Sequence, residues 1–193
     1  MSKTATVSSF SDYCKNPKVM DANMLLPEDC QKIVKTDTFK NMMAMFARYW
    51  TVEDCEESPK SLFIFGDNDI CKGVGGQAVI RNCKNSIGIP TKKLPNNNPT
   101  SFYVDAEYKD NCQKIFDAVV RIIRASVDYE ELVFPSDGFG TGLAKLAEKA
   151  PKTLAFMDKL IDDVFGIDYA DIRENGLRVN VDIPKEVSKT GNQ

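Results

Sequence analysis

The stretch "SLFIFGDNDICKGVGGQAVIRNCKNSIGIPTKK", Ser61 to Lys93, decides how the rest of the chain is read. It opens with an apolar run without alternation, Ser61–Phe65, the pattern of a strand buried on both faces. That run ends in Gly66-Asp67-Asn68. Three glycines follow at 73, 75 and 76, and Gln77 to Asn82 reads as the opening of a helix. A second apolar run, "SIGIP", leads into Thr91-Lys92-Lys93. Strand, loop, helix and strand in that order form the repeating unit of an α/β sheet.

The same alternation continues downstream. "SFYV" reads as a strand, and "DNCQKIFDAVVRIIRASV" as an amphipathic helix with Ile115, Val119, Ile122 and Ile123 on one face. "EELVFP" reads as another buried strand. "GLAKLAEKAPKTLAFMDKLIDDVFG" gives one or two helices around Pro151, and "GLRVNVDIP" a late strand of period two. Upstream, a helix start is expected at Pro27-Glu28-Asp29. In "DTFKNMMAMFARYW", Phe39, Met42, Met43, Phe46 and Trp50 recur at helical spacing behind a cap at Asp37 or Thr38, which predicts a helix packed on the sheet. "TVEDCEESPK" is an acidic stretch closing in a Ser-Pro turn. The expected class is α/β, with a mixed, mostly parallel sheet and helices on both faces. Residues 1–60 form an N-terminal helical segment packed on the domain, frayed over the first nine residues; 61–184 form the core, and 185–193 a disordered tail.

A chain of 193 residues suits one sizeable domain, and 42% hydrophobic with 27% charged residues is ordinary for a water-soluble protein. A net charge of -3 argues against a nucleic-acid partner. There is no histidine, so Ser-His and Cys-His catalysis and histidine-ligated metals are excluded, and no metal or cofactor is expected. The six cysteines are scattered without a C-x-x-C pair. With no apolar signal segment and no run long enough to span a bilayer, a reduced, cytoplasmic setting and no membrane partner are expected.

Two glycine-dense loops occupy equivalent places. Gly73-Val74-Gly75-Gly76 follows the strand ending at Phe65, and Gly138-Phe139-Gly140-Thr141-Gly142 follows the strand Leu132–Phe134. Glycine allows close approach of a ligand to the backbone, and ligands gather at the carboxyl ends of α/β strands. Either loop alone is more often a matter of turn geometry; the pair can grip a diphosphate from two sides. Neither is a Walker A loop, and the spacing misses G-x-G-x-x-G.

"GDN…KGVGGQAVI" followed by "FPSDGFGTGLAKL" resembles the macrodomain pattern. More closely, "FGDN", "KGVGGQA", "GIPTK" and "GFGTG" together resemble a small, uncharacterised macrodomain-like family common in bacteriophage genomes. The resemblance covers roughly Ser61 to Gly166. It implies a three-layer macrodomain-like fold and a site for ADP-ribose or a related NAD-derived nucleotide, with hydrolysis of ADP-ribosyl bonds as a further activity of some members. Residue by residue, Gly73, Gly75 and Gly76 match the first diphosphate loop. Gly138, Phe139 and Gly140 match the second, led in by Ser136 and Asp137. Asn68 matches the asparagine at the distal ribose, and Phe139 the aromatic packed near it. Gly66-Asp67-Asn68 stands where the family has Asn-Ala-Ala-Asn, and the early strand ending in Gly-Asp-Ile is missing.

The candidate catalytic residues are therefore Asp67, Asn68 and Asp137. Asp67 and Asn68 read equally well as a turn and as ribose contacts, with Asp67 able to orient a water as general base. Asp137 converges on Asp67 only if their strands are neighbours. The candidate ligand contacts are Gly66, Gly73, Val74, Gly75, Gly76, Gln77, Thr91, Lys92, Ser136, Gly138, Phe139, Gly140, Thr141 and Gly142, with Lys72, Lys92 and Lys93 as loop lysines near phosphate. Cys71 in the first loop reads more readily as incidental than as a nucleophile. Three readings stay open: a nucleotide-binding hydrolase, a phage protein that sequesters an NAD-derived signal of host defence in the host cytoplasm, and a structural protein whose glycines only turn the chain.

Overall fold

The computed structural model describes residues 9–178. The first half holds α1 (Phe10–Lys15), α2 (Glu28–Val34), α3 (Asp37–Lys40), β1 (Met43–Ala47), α4 (Val52–Glu57), β2 (Ser61–Asn68) and β3 (Ser86–Lys92). The second half holds α5 (Tyr108–Ser126), β4 (Glu131–Pro135), α6 (Leu146–Lys149), α7 (Pro151–Phe165) and α8 (Tyr169–Asn175). The four strands form one sheet in the order β1-β4-β2-β3, and every pairing is parallel.

β2 shows why this is a three-layer fold. Its side chains alternate between two cores, as the strand pleat requires. Leu62 and Ile64 enter the larger core, where α5 contributes Ile115, Val119, Ile122 and Ile123, and α7 contributes Phe156, Met157, Leu160 and Ile161. Phe63 and Phe65 enter a smaller core on the other face with Trp50, Cys55 of α4, Ala78, Ile80 and Val133. Full burial of each such side chain stabilises the fold by about 1.5–3 kcal/mol, so both faces must be covered. Asp105 closes the far side: its carboxylate accepts from the Lys152 and Thr153 N–H groups at 2.9 and 3.1 Å, capping α7.

Four expectations change. The helix expected across Phe39–Trp50 is a one-turn helix, α3, followed by strand β1. Asn41 ends α3 with its N–H on the Asp37 carbonyl, and residues 43–47 then pair with 131–135. An unbroken Met, Phe and Ala run suits either period, and the long-range ladder decides. Met43 and Met45 are exposed on this edge strand. The segment before residue 61 is thus not wholly helical and supplies a strand of the sheet.

The helix expected after the first glycine loop is only a 3-10 turn, Gly76–Ile80. The Gln77 carbonyl that would accept the Arg81 N–H in an α-helix takes the Trp50 indole N–H instead, at 2.9 Å, and Arg81 turns to Ala78. "SFYV" makes a single antiparallel bridge, Phe102 to Lys92, before the chain turns into α5. The late strand and the tail from 185 lie outside the described residues, apart from Gly176–Arg178, which form no strand; of the first nine residues only Ser9 is described, and it caps α1. Among the described residues no helix is long and apolar enough to cross a membrane.

Candidate functional site

β2 ends in a register shift between Asp67 and Asn68 against β3, and the chain leaves the sheet there. Asn68 clasps the departing loop with its own side chain. Nδ2 donates to the Lys72 carbonyl at 2.7 Å, and the Lys72 N–H donates back to Oδ1 at 3.3 Å. The turn this closes puts Cys71 at φ 51°. Asp67, 9% exposed, forms an ion pair with Arg81, itself 10% exposed. Arg81 also donates to the Gly73 carbonyl at 2.8 Å and the Lys72 carbonyl at 3.3 Å, with its guanidinium 5.5 Å from the Phe65 ring. One cation thus neutralises Asp67 and pins the first glycine loop. Thr91 donates its hydroxyl proton to the Asp67 carbonyl at 3.2 Å. Asp69, the next carboxylate along, is held away from the loop glycines by Lys114 of α5 and the Tyr103 hydroxyl.

The second loop leaves β4, the neighbour of β2. The Ser136 N–H binds the Ala47 carbonyl at 2.9 Å and so belongs to the junction with β1. Gly138 and Gly140 sit at φ 81° and 72°. Between them, Phe139 is buried and packs edge-on against Tyr169 at 5.8 Å. The loop then runs past Gly142 to Leu143, which lies against Gly75 and Gly76 of the first loop.

The two loops therefore face one another across a single cleft of about 350 Å³ at the carboxyl ends of β2, β3 and β4. That size falls in the ordinary range for a small-molecule site. Of the residues expected from sequence, Gly66, Asp67, Asn68, Gly73, Gly75, Gly76, Gln77, Thr91, Lys92, Asp137, Gly140, Thr141 and Gly142 line it. Val74, Ser136, Gly138 and Phe139 do not. Val74 points to solvent, and the other three are taken up by the contacts of the second loop. A larger hollow of about 450 Å³ beside β1 contains none of the expected residues.

The wall also includes Arg81, Pro95 and Leu143, which the sequence reading passed over. Arg81 stands four residues after Gln77, a spacing that puts both on one side of a helical turn, and this was the available signal. The expected loop lysines divide. Lys72 is exposed on the cleft, Lys93 pairs with Glu107 at 2.5 Å, and Lys92 is buried at the end of β3. Burial, and then the charge of Lys145, hold the Lys92 ammonium below the ordinary lysine range. Asp137 is exposed on the opposite wall. Cys71 is no activated nucleophile: burial and then the Asp67 charge push its thiol up. No group of three or more metal-ligating side chains occurs among the described residues. The arrangement offers backbone amides, two buried cations, Arg81 and Lys92, of which only Arg81 has a carboxylate partner among the described residues, and few groups able to move a proton.

Compared with known families, residues 45–160 match the model of a family of unknown function (DUF7831). No curated protein and no solved structure matches the chain.

Proposed function

We propose that this chain, which belongs to the DUF7831 family, binds an ADP-ribose-type nucleotide, with the diphosphate held between the two glycine loops. The observation that carries the reading is that Gly75 and Gly140 line one cleft at the carboxyl ends of parallel strands. The macrodomain resemblance of these loops agrees with it. Backbone N–H groups at glycine can approach phosphate oxygens without side-chain hindrance. Holding without turnover fits best. Asp67 is neutralised by Arg81, Asn68 is occupied with Lys72, and the chain contains no histidine. A second reading, hydrolysis of an ADP-ribosyl bond, draws on Asp137, an exposed carboxylate residue that lines the cleft and has no ion-pair partner among the described residues.

Calorimetric titration with ADP-ribose tests the proposal, using wild type beside Gly75→Glu. Gly75 has φ -83°, so glutamate fits its backbone while bringing a negative charge to the cleft. Wild type is expected to bind, and the variant to bind at least about tenfold more weakly, a loss of about 1.4 kcal/mol. Absence of binding to any NAD-derived nucleotide would defeat the reading. Ligand recovered intact after denaturation supports holding; a cleaved product supports the second reading.

A further inference from the structure

Lys92 is 6% exposed, a rare state for a lysine. Its ammonium donates to Asn97 Oδ1 at 3.2 Å and to the Leu143 carbonyl at 3.4 Å, and lies 4.5 Å from the centre of the Phe102 ring. All three partners are neutral. Among the described residues no carboxylate forms an ion pair with it, although its chain neighbour Lys93 has Glu107 and nearby Arg81 has Asp67. An ammonium carries three protons; protein oxygens take two and the third neighbour is the Phe102 π face, so no contact supplies a full negative charge. Burying a cation without a counter-charge opposes folding. Lys145 adds a second positive charge nearby, which deepens the imbalance. The residue lines the glycine-loop cleft, so a counter-ion can reach it from that side.

We infer that Lys92 is the specificity-determining residue of the cleft, its uncompensated ammonium charge pairing with a phosphate oxygen of the ligand. The inference rests on the reading of the cleft as a phosphate site. It adds that the ligand must be a phosphoanion and that its phosphate lies on the β3 side, beneath Leu143. An uncharged nucleoside lacks the group Lys92 requires. The charge is then kept for binding and at the expense of stability, and this separates it from a lysine retained as a strut.

The test uses pyrophosphate and ADP-ribose as probes, on wild type, Lys92→Met, Lys92→Gln and a control, Lys93→Met. The control removes the same charge one residue on, outside the cleft. Calorimetry should show pyrophosphate binding weakened about tenfold or more by Lys92→Met and Lys92→Gln, as expected for loss of a charge-assisted bond, and kept by Lys93→Met. Lys92→Met should melt at or above the wild-type temperature. Pyrophosphate affinity unchanged in both Lys92 variants, or a Lys92→Met protein that melts well below wild type, overturns the inference. Two outcomes separate it from the nucleotide reading. Lys92-dependent pyrophosphate binding with no gain for ADP-ribose leaves Lys92 in its role and removes the nucleotide. ADP-ribose binding that ignores Lys92 does the reverse, and a wild type that binds neither probe removes both.

Discussion

Gln77, in the cleft wall, is joined to Gly138 behind it: the Gln77 Nε2 donates to the Gly138 carbonyl at 3.1 Å, while its Oε1 accepts from the Gly66 N–H at 2.8 Å. One amide thus ties the end of β2 to the second glycine loop and sets the distance between the loops. Gln77→Glu keeps an acceptor for Gly66 but turns an oxygen toward the Gly138 carbonyl. It is expected to lose about 1–3 kcal/mol, the cost of a part-buried polar group left unmatched. Denaturant unfolding measures this. An unchanged midpoint would mean that the tie carries no energy.

The second loop separates two kinds of glycine. At Gly140, with φ 72°, an added Cβ would meet Leu146 Cγ at 2.7 Å, and Leu146 is fully buried. At Gly142 nothing lies within 4 Å of such a Cβ. Gly140→Ala should therefore destabilise by about 1–3 kcal/mol through positive-φ strain and overpacking, and Gly142→Ala by less than about 0.5 kcal/mol. Thermal melts of the two variants side by side check the contrast. Equal melting temperatures would contradict it.

Much of this arrangement is legible in the sequence, for reasons that differ from residue to residue. The apolar run Ser61–Phe65 announces a central strand because both faces are covered. Glycines at positive φ announce a loop because other residues resist that conformation. The pairing of β1 is not legible: Met43–Ala47 suits a helix as well as a strand, and only the β4 ladder chooses. The macrodomain resemblance places Phe139 near the ligand, yet Tyr169, thirty residues on, draws its ring into the core. Lys92 looked like a loop lysine because local sequence carries no record of burial. Local pattern therefore announces the main strands and the loops between them. Which side chains turn inward depends on contacts distant in the chain.

Asp67 and Arg81 offer a third test. Both side chains are about nine-tenths buried, so removing one partner strands the other. Arg81→Met is expected to destabilise by about 3–5 kcal/mol, since the buried Asp67 carboxylate loses its counter-charge and keeps only the Asn68 N–H. Asp67→Leu in the same background should recover part of that loss, giving a favourable coupling in a double-mutant cycle. Additive losses would show that the pair is not coupled. The same cycle bears on turnover: a base held this way contributes to the fold first, so Asp67→Asn should cost stability whether or not any product is formed.

The Lys92 ammonium gives a pH dependence whose two signs oppose one another. Burial, and then Lys145, lower its pKa from the ordinary 10.5. The unfolded chain therefore binds more protons than the native one between the lowered value and about pH 10.4, and over that window stability rises with pH. Below the lowered value the cost of burying the charge is fully present. Anion affinity runs the other way, because the group that attracts phosphate loses its charge as pH rises through the lowered value. Titrating wild type and Lys92→Met from about pH 7 to about pH 10.4 reads both trends. The stability advantage of Lys92→Met should shrink as pH rises, while the wild-type affinity for inorganic phosphate falls toward that of the variant. If that stability advantage instead widens on the alkaline side, the folded protein holds the proton more tightly than the unfolded chain, and Lys92 is stabilised by a partner within the protein.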